Sequence, residues 1–221
     1  MLQFWDFVIL KVLATGKKRI KKIKFRYNML NIVLFGAPGC GKGTQAAKLK
    51  EHYGIDHVST GEVIRSEIRR ETELGKSMKE CIAQGSLVPD QLVIDIVKGY
   101  VSEHCRDNGN IFDGFPRTIP QAEAFDQMLL EVGLTVDLMV YMDVPEEELV
   151  KRIMLRGLAS GRSDDASEEV IRHRIDTYRK QTAVVADYYA KQGKYVAVDG
   201  LGTVEEIFER IVKAIDAYRK Q

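Results

Sequence analysis

A glycine-rich segment, GAPGCGKGT at residues 36–44, has the residue types and spacing needed to bind phosphate. It follows an apolar, β-branched run and opens a helical one, so its glycines let backbone N–H groups converge at the start of a helix. Lys42 would then neutralise the β- and γ-phosphates of a nucleotide. The usual phosphate-loop pattern places Ser or Thr directly after the lysine, whereas here Gly43 comes before Thr44. Strand, spacing and helix together predict a phosphate site rather than a glycine-rich turn with a surface lysine.

Arginines near the other glycine-containing segments extend this prediction. A guanidinium group is planar, stays charged and binds phosphate through two parallel hydrogen bonds. Each arginine taken singly is explained as well by a solvated or salt-bridged surface position. Their coincidence with the glycine-containing segments instead favours a site that collects several phosphates.

Short apolar runs alternate with longer amphipathic runs from residue 31 onward. Strands that alternate with helices favour a parallel α/β sheet with right-handed crossovers. In such sheets, ligands bind outside the carboxyl ends of the strands, which must therefore position the phosphate-binding segment. The candidate strands are residues 31–35, 55–59, 110–114, 137–144 and 195–199.

Two stretches depart from this alternation. Residues 59–88 contain two or three short helical patterns and no strand, which predicts a small helical insertion. The run RGLASGRSDD at residues 156–165 is predicted to be a Gly/Ser loop between two helical segments. A loop that carries arginines is suited to act as a moving lid.

Two of the helix starts carry a capping-box pattern. In a capping box, a Ser or Thr side chain accepts from the backbone three residues on, and a Glu there binds back to the cap. Ser59 with Glu62 and Thr203 with Glu206 have this spacing. The sequence therefore predicts helices that begin immediately after Ser59 and Thr203.

Length and composition are those of an ordinary soluble globular domain. The chain has 221 residues, of which 45% are hydrophobic and 29% charged, enough to bury one core. The sequence contains no run of about 18 uninterrupted apolar residues, so we expect no transmembrane helix. Cys40, Cys81 and Cys105 lack metal-ligand spacing, so we expect no cysteine-based zinc site and a reducing, cytoplasmic setting.

Residues 1–28 differ in composition from the rest. They contain eight Lys and Arg and one acid, whereas the remaining 193 residues contain 25 bases and 31 acids. The mildly acidic body gives no reason to expect nucleic acid as a partner. The basic cluster follows the apolar stretch, an order unlike a secretory signal. The segment is interpreted as an upstream extension with Met29 as the natural start, or alternatively as a membrane-surface anchor.

Four segments together resemble the nucleoside monophosphate kinases, and among them the adenylate kinases. The matching segments occur in order from residue 31 to about 202, and their combination is highly specific. They are GAPGCGKGTQ at 36–45, STGEVIR at 59–65, DGFPRTIPQ at 113–121, and GRSDD at 161–165 followed by Arg172, His173 and Arg174. A GTP switch protein is the rival class, but its base-reading Asn-Lys-x-Asp motif does not occur here.

The resemblance implies an α/β fold of the P-loop NTPase type for residues 29–221. It also implies a helical insertion that binds the nucleoside monophosphate, at about 59–88, and a short lid at about 156–165. The implied reaction is reversible, direct in-line transfer from Mg·ATP to AMP, giving two ADP without a covalent enzyme intermediate. The implied ATP-binding residues are Gly39, Cys40, Gly41, Lys42, Gly43, Thr44, Arg152, Arg156 and Gly202.

The AMP side is implied in the same way. In the register used here Arg174 clamps the phosphates, although one extra residue after Asp165 leaves Arg172 as the alternative. The implied AMP-binding residues are Thr60, Arg65, Ser86, Leu87, Val88, Gly114, Phe115, Pro116, Arg117, Gln121, Arg162 and Arg174. The implied catalytic residues are Lys42, Arg117, Arg156, Arg162 and Arg174.

Mg²⁺ with ATP is the only implied cofactor. Asp113, Asp164 and Asp165 are expected to order its water shell without binding it directly, because Mg²⁺ usually keeps several waters. The short lid resembles the form of these enzymes that has no structural zinc. A monomer without protein partners is the family expectation.

A UMP/CMP kinase is the closest alternative, because it shares the phosphate loop and the short lid. Thr60 can hydrogen-bond an adenine edge, where pyrimidine kinases typically carry alanine. Gln121 can pair with adenine through two hydrogen bonds, where those kinases typically have asparagine. Both residues favour AMP as the acceptor.

Overall fold

The five predicted strands form one parallel sheet in a computed structural model that describes residues 30–104, 109–160, 162–165 and 167–220. Its order is β2-β3-β1-β4-β5, with every neighbouring pair parallel. The strands are β1 (Asn31–Phe35), β2 (Asp56–Ser59), β3 (Asn110–Asp113), β4 (Leu138–Asp143) and β5 (Tyr195–Asp199). The predicted strand ends agree to within one residue, and the predicted fold class is confirmed.

Nine α-helices join and cover the strands in the described residues. They are α1 (Lys42–Tyr53), α2 (Thr60–Arg69), α3 (Glu73–Ala83), α4 (Asp90–His104), α5 (Ile119–Glu131), α6 (Glu146–Ser160), α7 (Glu168–Thr177), α8 (Val184–Ala190) and α9 (Val204–Tyr218). A 3₁₀ turn at Ser163–Asp165 precedes α7, and a π-helical turn at Tyr178–Thr182 follows it.

The central strands lie in the middle of the hydrophobic core. All residues of β1 and β3 are buried, as expected for strands covered by helices on both faces. The ring of Phe125, in α5, packs edge to face against two other rings. Its centroid lies 4.6 Å from that of Phe112 and 5.2 Å from that of Phe115. This rigid packing fixes the end of β3 and the loop that follows it.

One of the two predicted capping boxes is confirmed. At the start of α9, Thr203 and Glu206 make both reciprocal hydrogen bonds. At the start of α2, Ser59 Oγ accepts from the backbone N–H of Glu62, but the Glu62 side chain binds Arg65 and Arg69 instead of the cap. The second box is therefore only half formed, because two arginines compete for its carboxylate.

The predicted loop at residues 156–165 is also corrected. Helix α6 continues through Ser160 and the 3₁₀ turn supplies residues 163–165, while residue 161 lies outside the described residues. A Cβ on Gly157 would lie only 2.7 Å from the carbonyl oxygen of Asp165. The glycine thus lets the turn pack directly on the helix, and this tertiary contact outweighs its weak helix propensity.

After Ser59, the last residue of β2, the chain up to residue 88 contains α2 and α3 and no strand, as predicted for about 59–88. The N-terminal residues 1–28, and with them the extension or anchor hypotheses and Met29, lie outside the described residues. No helix among residues 30–104, 109–160, 162–165 and 167–220 is long and apolar enough to cross a membrane.

Candidate active site

A cleft of about 1250 Å³ lies beyond the carboxyl ends of the strands. Its wall includes residues that follow four strands: Gly36 after β1, Thr60 after β2, Gly114 after β3 and Gly202 after β5. All the residues that were predicted to bind ATP or AMP, or to act in catalysis, line this one cleft. The structure thus brings together segments that lie more than 160 residues apart in the chain.

The phosphate-binding segment is a tight turn between β1 and α1. Gly36 and Gly39 have φ angles of 142° and 84°, which residues with a side chain rarely adopt. A Cβ on Gly39 would lie 2.6 Å from Ile153 Cγ1 in α6. Helix α1 begins after Gly41, which provides no side-chain cap. Its first N–H groups are therefore available to an anion in the cleft.

Lys42 lies across this turn. Its ammonium group donates to the carbonyl oxygens of Gly36 at 2.8 Å and Ala37 at 3.1 Å, and lies 3.5 Å from Cys40 Sγ. No carboxylate among the described residues pairs with it. The carbonyl groups of the loop thus position the ammonium group, which can still bind a phosphate because no carboxylate of the described residues forms an ion pair with it.

Two arginines are oriented by a buried carboxylate at the lid. Asp165 has a fully buried side chain and accepts from Arg156 Nε at 2.7 Å and Nη2 at 2.9 Å, and from Arg174 Nη1 at 2.5 Å. Arg174 also pairs with Asp164 Oδ2 at 2.9 Å. Burial opposes ionisation of Asp165, but the two arginines outweigh it and hold the pKa of its carboxyl below the ordinary value.

This geometry corrects the role expected for Asp165. Both its carboxylate oxygens are taken by arginines, and Asp165 is not among the residues that line the cleft. It therefore orients arginines and is not placed to order magnesium-bound water. Asp113 and Asp164 do line the cleft.

The two candidate arginines after the lid have different surroundings. Arg174 is turned into the cleft, with only 16% of its side chain exposed. Arg172 is more exposed, pairs with Glu168 at 2.8 Å and with Glu146 at 3.5 Å, and is not part of the cleft wall. The geometry favours Arg174 over Arg172.

Arg117 and Arg162 experience an excess of positive charge. Burial lowers the pKa of Arg117, and the nearby charge of Arg174 lowers it further. Burial also lowers the pKa of Arg162, with Arg65 and Arg156 adding to the effect. Arg117 Nε donates to the Gly114 carbonyl at 2.7 Å, whereas the guanidinium of Arg162 has no hydrogen-bond or ion-pair partner among the described residues.

The cleft as a whole is positive although the body of the chain is acidic. Its lining contains eight Lys and Arg but only four Asp and Glu. Bringing like charges together in a partly desolvated cleft is unfavourable unless an anion neutralises them. The arrangement is therefore that of a site for several phosphate groups.

Thr60 and Gln121, which the sequence predicts to contact the acceptor base, both line the cleft. Thr60 is buried, and its hydroxyl donates to the Asp113 carbonyl at 3.1 Å. Gln121 is 1% exposed; its Oε1 accepts from the Arg117 backbone N–H at 2.8 Å, and its Nε2 donates to Asp90 Oδ1 at 2.7 Å. The base-reading groups expected from the sequence are thus fixed by neighbours.

Arg152 lies on the opposite side of the cleft. Its Nε donates to Glu148 at 2.8 Å, and its Nη1 donates to the Gly200 carbonyl at 3.1 Å. The guanidinium is thereby held at two of its nitrogens; Gly202, which has a φ of 117°, lines the same cleft.

Comparison with known proteins identifies the family. A family model described as "Adenylate kinase" matches residues 34–194. The chain belongs to the adenylate kinase family. It is 53% identical over 188 residues to an adenylate kinase of Parabacteroides distasonis, covering 85% of this chain and 98% of that protein. An adenylate kinase of Bacteroides fragilis is 54% identical over 85% of this chain and 99% of its own length. One from Porphyromonas gingivalis is 48% identical over 87% and 98%.

Membership of the adenylate kinase family makes the chain a phosphotransferase enzyme that binds nucleotides, and it confirms the resemblance recognised in the sequence. The geometry also shows residues that sequence reasoning missed. Asp90 contacts the predicted site residue Gln121 across 31 residues of the chain, so no local motif could have revealed it. Gln45 follows the phosphate loop and is 1% exposed; its Oε1 is buried without a hydrogen-bond partner in the cleft wall.

Asp113 of this adenylate kinase family member is a carboxylate near the phosphate loop: a Cβ on Gly43 would lie 3.7 Å from its Oδ2. Burial opposes its ionisation, but His57, Lys42 and Arg117 outweigh that effect and hold its pKa below the ordinary value. His57 Nε2 lies 3.7 Å from Asp113 Oδ2. No group of three or more His, Cys, Asp or Glu among the described residues is arranged to hold a metal.

Proposed function

We propose that the protein transfers the terminal phosphoryl group of Mg·ATP to AMP, giving two ADP, by direct in-line transfer without a covalent intermediate. The observation that supports this most is the single positive cleft, which combines the phosphate loop with both arginine-rich segments. ATP would bind on the side of Lys42 and Arg152, with its phosphates on the loop. AMP would bind on the side of Thr60 and Gln121, within the helical insertion of residues 59–88.

The phosphate groups would meet between these two sides. The contacts proposed for ATP are those of Gly39, Cys40, Gly41, Lys42, Gly43, Thr44, Arg152, Arg156 and Gly202. Those proposed for AMP are Thr60, Arg65, Ser86, Leu87, Val88, Gly114, Phe115, Pro116, Arg117, Gln121, Arg162 and Arg174. All of these residues line the same cleft, so two nucleotides could approach end to end.

Catalysis of phosphoryl transfer depends on positioning and on stabilising charge, with little covalent chemistry for the protein. Lys42, Arg117, Arg156, Arg162 and Arg174 would screen the repulsion between the two nucleotides. Because Asp165 fixes Arg156 and Arg174 beforehand, little reorganisation is needed when the charge redistributes. The AMP phosphate oxygen is itself the nucleophile, so no general base is required.

The residues present fit the magnesium ion that accompanies ATP. Asp113 is a buried, ionised carboxylate near Lys42, and carboxylates suit the water shell of a hard cation. We propose that Asp113 and Asp164, both in the cleft wall, hydrogen-bond to that shell. The ion supplies additional charge neutralisation to the phosphates when it is bound.

AMP is preferred over UMP or CMP as the proposed acceptor because of Thr60 and Gln121. Both are buried polar side chains in the cleft wall, with hydrogen-bonding capacity beyond their protein partners. A pyrimidine would leave these groups unpaired, which discriminates strongly against it. A UMP/CMP kinase would share the fold and mechanism and remains the second candidate.

We further propose that residues 29–221 form the catalytic domain and act as a monomer in the cytoplasm. The free thiols of Cys40 and Cys81 suit a reducing compartment. Residues 156–165 would close over the phosphates and exclude water. Removal of residues 1–28 should leave kcat and KM unchanged, whereas loss of folding would show that the segment belongs to the domain.

The transfer itself is tested by following labelled phosphate. With ATP labelled in the γ-phosphate, the proposed reaction places the label in the β-phosphate of ADP made from AMP, with little free phosphate. A chiral, isotopically labelled γ-thiophosphate should be inverted by one direct displacement. Retention of configuration would indicate two displacements and a covalent intermediate, and release of label as free phosphate would indicate an ATPase.

A further inference from the structure

The amide of Gln121 is held in one of its two possible orientations by groups from two different segments. The Arg117 backbone N–H donates to Oε1 at 2.8 Å, and Nε2 donates to Asp90 Oδ1 at 2.7 Å. Turning the amide over would place N–H against N–H and oxygen against carboxylate, losing two hydrogen bonds and creating two repulsive contacts. The observed orientation is therefore strongly preferred.

The carboxylate of Asp90 is itself fixed. Thr118 Oγ1 donates to Asp90 Oδ2 at 3.0 Å and, as the cap of α5, accepts from the Gln121 backbone N–H. Its single hydroxyl hydrogen is therefore directed at Asp90. Both oxygens of Asp90 are used, and the half-buried side chain stands in the first turn of α4, where a negative charge is favoured.

The fixed amide leaves a defined pattern of hydrogen-bonding groups. Oε1 has one free lone pair and Nε2 one free hydrogen, because each has already made one hydrogen bond. Adenine presents an amino donor at N6 and an acceptor at N1, whereas a 6-oxopurine presents an acceptor at O6 and a donor at N1. A glutamine that can turn over serves either base, but one with a fixed amide serves only one of them.

We propose that Asp90 is a positioning residue that fixes the amide of Gln121 and so makes the acceptor site selective for adenine over 6-oxopurines. This inference rests on the proposed binding of AMP beside Gln121. Asp90 acts through Gln121 and needs no contact with the nucleotide. Without its carboxylate, the amide keeps only the Arg117 contact, and the orientation that suits a 6-oxopurine becomes accessible.

The test compares AMP with inosine monophosphate as acceptors in the full-length chain. Asp90→Leu should lower the ratio of kcat/KM for AMP to that for inosine monophosphate by about tenfold or more, as expected for losing a hydrogen bond to a charged group. The change should arise mainly in KM for the acceptor, with KM for ATP unaltered. Asp90→Ala is the second variant, should the larger side chain disturb α4.

Two further variants separate positioning from general destabilisation. Asp90→Asn keeps an oxygen for Gln121 Nε2 and should retain most of the selectivity. Asp95→Leu removes an exposed carboxylate on the same helix, whose one hydrogen-bond partner among the described residues is Gln91, and should leave the ratio unchanged. A loosened fold would lower kcat/KM for both acceptors together and leave their ratio intact.

The outcomes distinguish this inference from the proposed function. An AMP-selective wild type whose ratio is the same in Asp90→Leu and Asp90→Ala would overturn the role of Asp90 alone. A wild type that phosphorylates pyrimidine nucleotides and not AMP would overturn the proposed acceptor, and with it this inference. A lower ratio in both substitutions, with the ratio largely retained in Asp90→Asn, would support it.

Discussion

Arg156 and Asp165 form a bidentate ion pair, in which Nε of the arginine lies 2.7 Å from Oδ2 of the carboxylate and Nη2 lies 2.9 Å from Oδ1. It joins α6 to the 3₁₀ turn before α7, and Arg174 completes it from the other side. The carboxylate is fully buried, so its attraction to the arginines is little screened. One acidic side chain thus orients two of the cations proposed to bind phosphate.

Asp165→Asn should lower the free energy of unfolding by about 2–4 kcal/mol, because it leaves two partly buried guanidinium groups without their carboxylate. Urea unfolding at neutral pH would measure the loss. Asp176→Asn is the matched control: its exposed ion pair with Lys180 contributes roughly 0.5 kcal/mol or less. Equal effects of the two substitutions would contradict the structural importance given to Asp165.

The same pair makes stability depend on pH. Since the pKa of Asp165 is held below its ordinary value of 3.8, its contribution is complete above about pH 4 and is lost as pH falls through the folded-state pKa. The stability difference between the wild type and Asp165→Asn should therefore narrow on acidification below about pH 4. Unfolding curves at a series of pH values would show this, and a constant difference would contradict it.

The two neighbouring arginines of α7 should differ sharply in function. Arg174→Ala should lower kcat by roughly two to three orders of magnitude, as when a preorganised electrostatic donor is removed. Arg172→Ala, outside the cleft, should change kcat by less than about twofold, since its exposed ion pairs contribute little. Steady-state kinetics of the two variants decides the register, and the reverse ranking would assign the role to Arg172.

Arg117→Ala should also lower turnover by about two to three orders of magnitude. Its guanidinium is held in the cleft by the Gly114 carbonyl, and burial together with Arg174 lowers its pKa. Stopped-flow measurement at saturating nucleotide would isolate the loss to kcat, with circular dichroism as the control for folding. Near-normal turnover in a folded variant would remove Arg117 from the proposed mechanism.

The glycines differ in how far they tolerate a side chain. Gly39→Ala should destabilise the protein by about 1–3 kcal/mol and raise KM for ATP, because φ is 84° and the added methyl would meet Ile153. Gly99→Ala, in the interior of α4 with nothing within 4 Å of the new Cβ, should instead stabilise by about 0.5–1 kcal/mol. Thermal unfolding and ATP titration of both variants test the contrast, which a stable, active Gly39→Ala enzyme would contradict.

The fold could be predicted from the sequence because local pattern and tertiary structure agree. The buried run at Asn31–Phe35 and the capping box at Thr203 are recognisable from a few residues, and the structure contains both. The loop predicted after Arg156 was wrong because Gly157 packs against Asp165, a contact with no local signature. Local sequence pattern fails where a tertiary contact decides the conformation.

The candidate site shows the same division. The phosphate loop could be located from its glycine spacing, and the other site residues from the resemblance of their segments to adenylate kinases. The acidic residues that contact them could not be predicted. Asp90 lies 31 residues from Gln121 in the chain, and the Glu62 side chain binds Arg65 and Arg69 instead of forming the predicted capping box. Acidic side chains of this kind orient the side chains of the site, and they can be recognised only from contacts in the folded structure.

The most direct test of the proposed reaction is a competition among acceptors. Full-length protein would be given Mg·ATP with equal concentrations of AMP, UMP and CMP, and the initial rates of ADP, UDP and CDP formation would be measured. The ADP that each transfer makes from the donor ATP would be subtracted from the ADP total. The account predicts that AMP is phosphorylated almost exclusively, and that Thr60→Ala reduces this preference. Predominant formation of UDP or CDP would contradict the assignment of AMP as the acceptor.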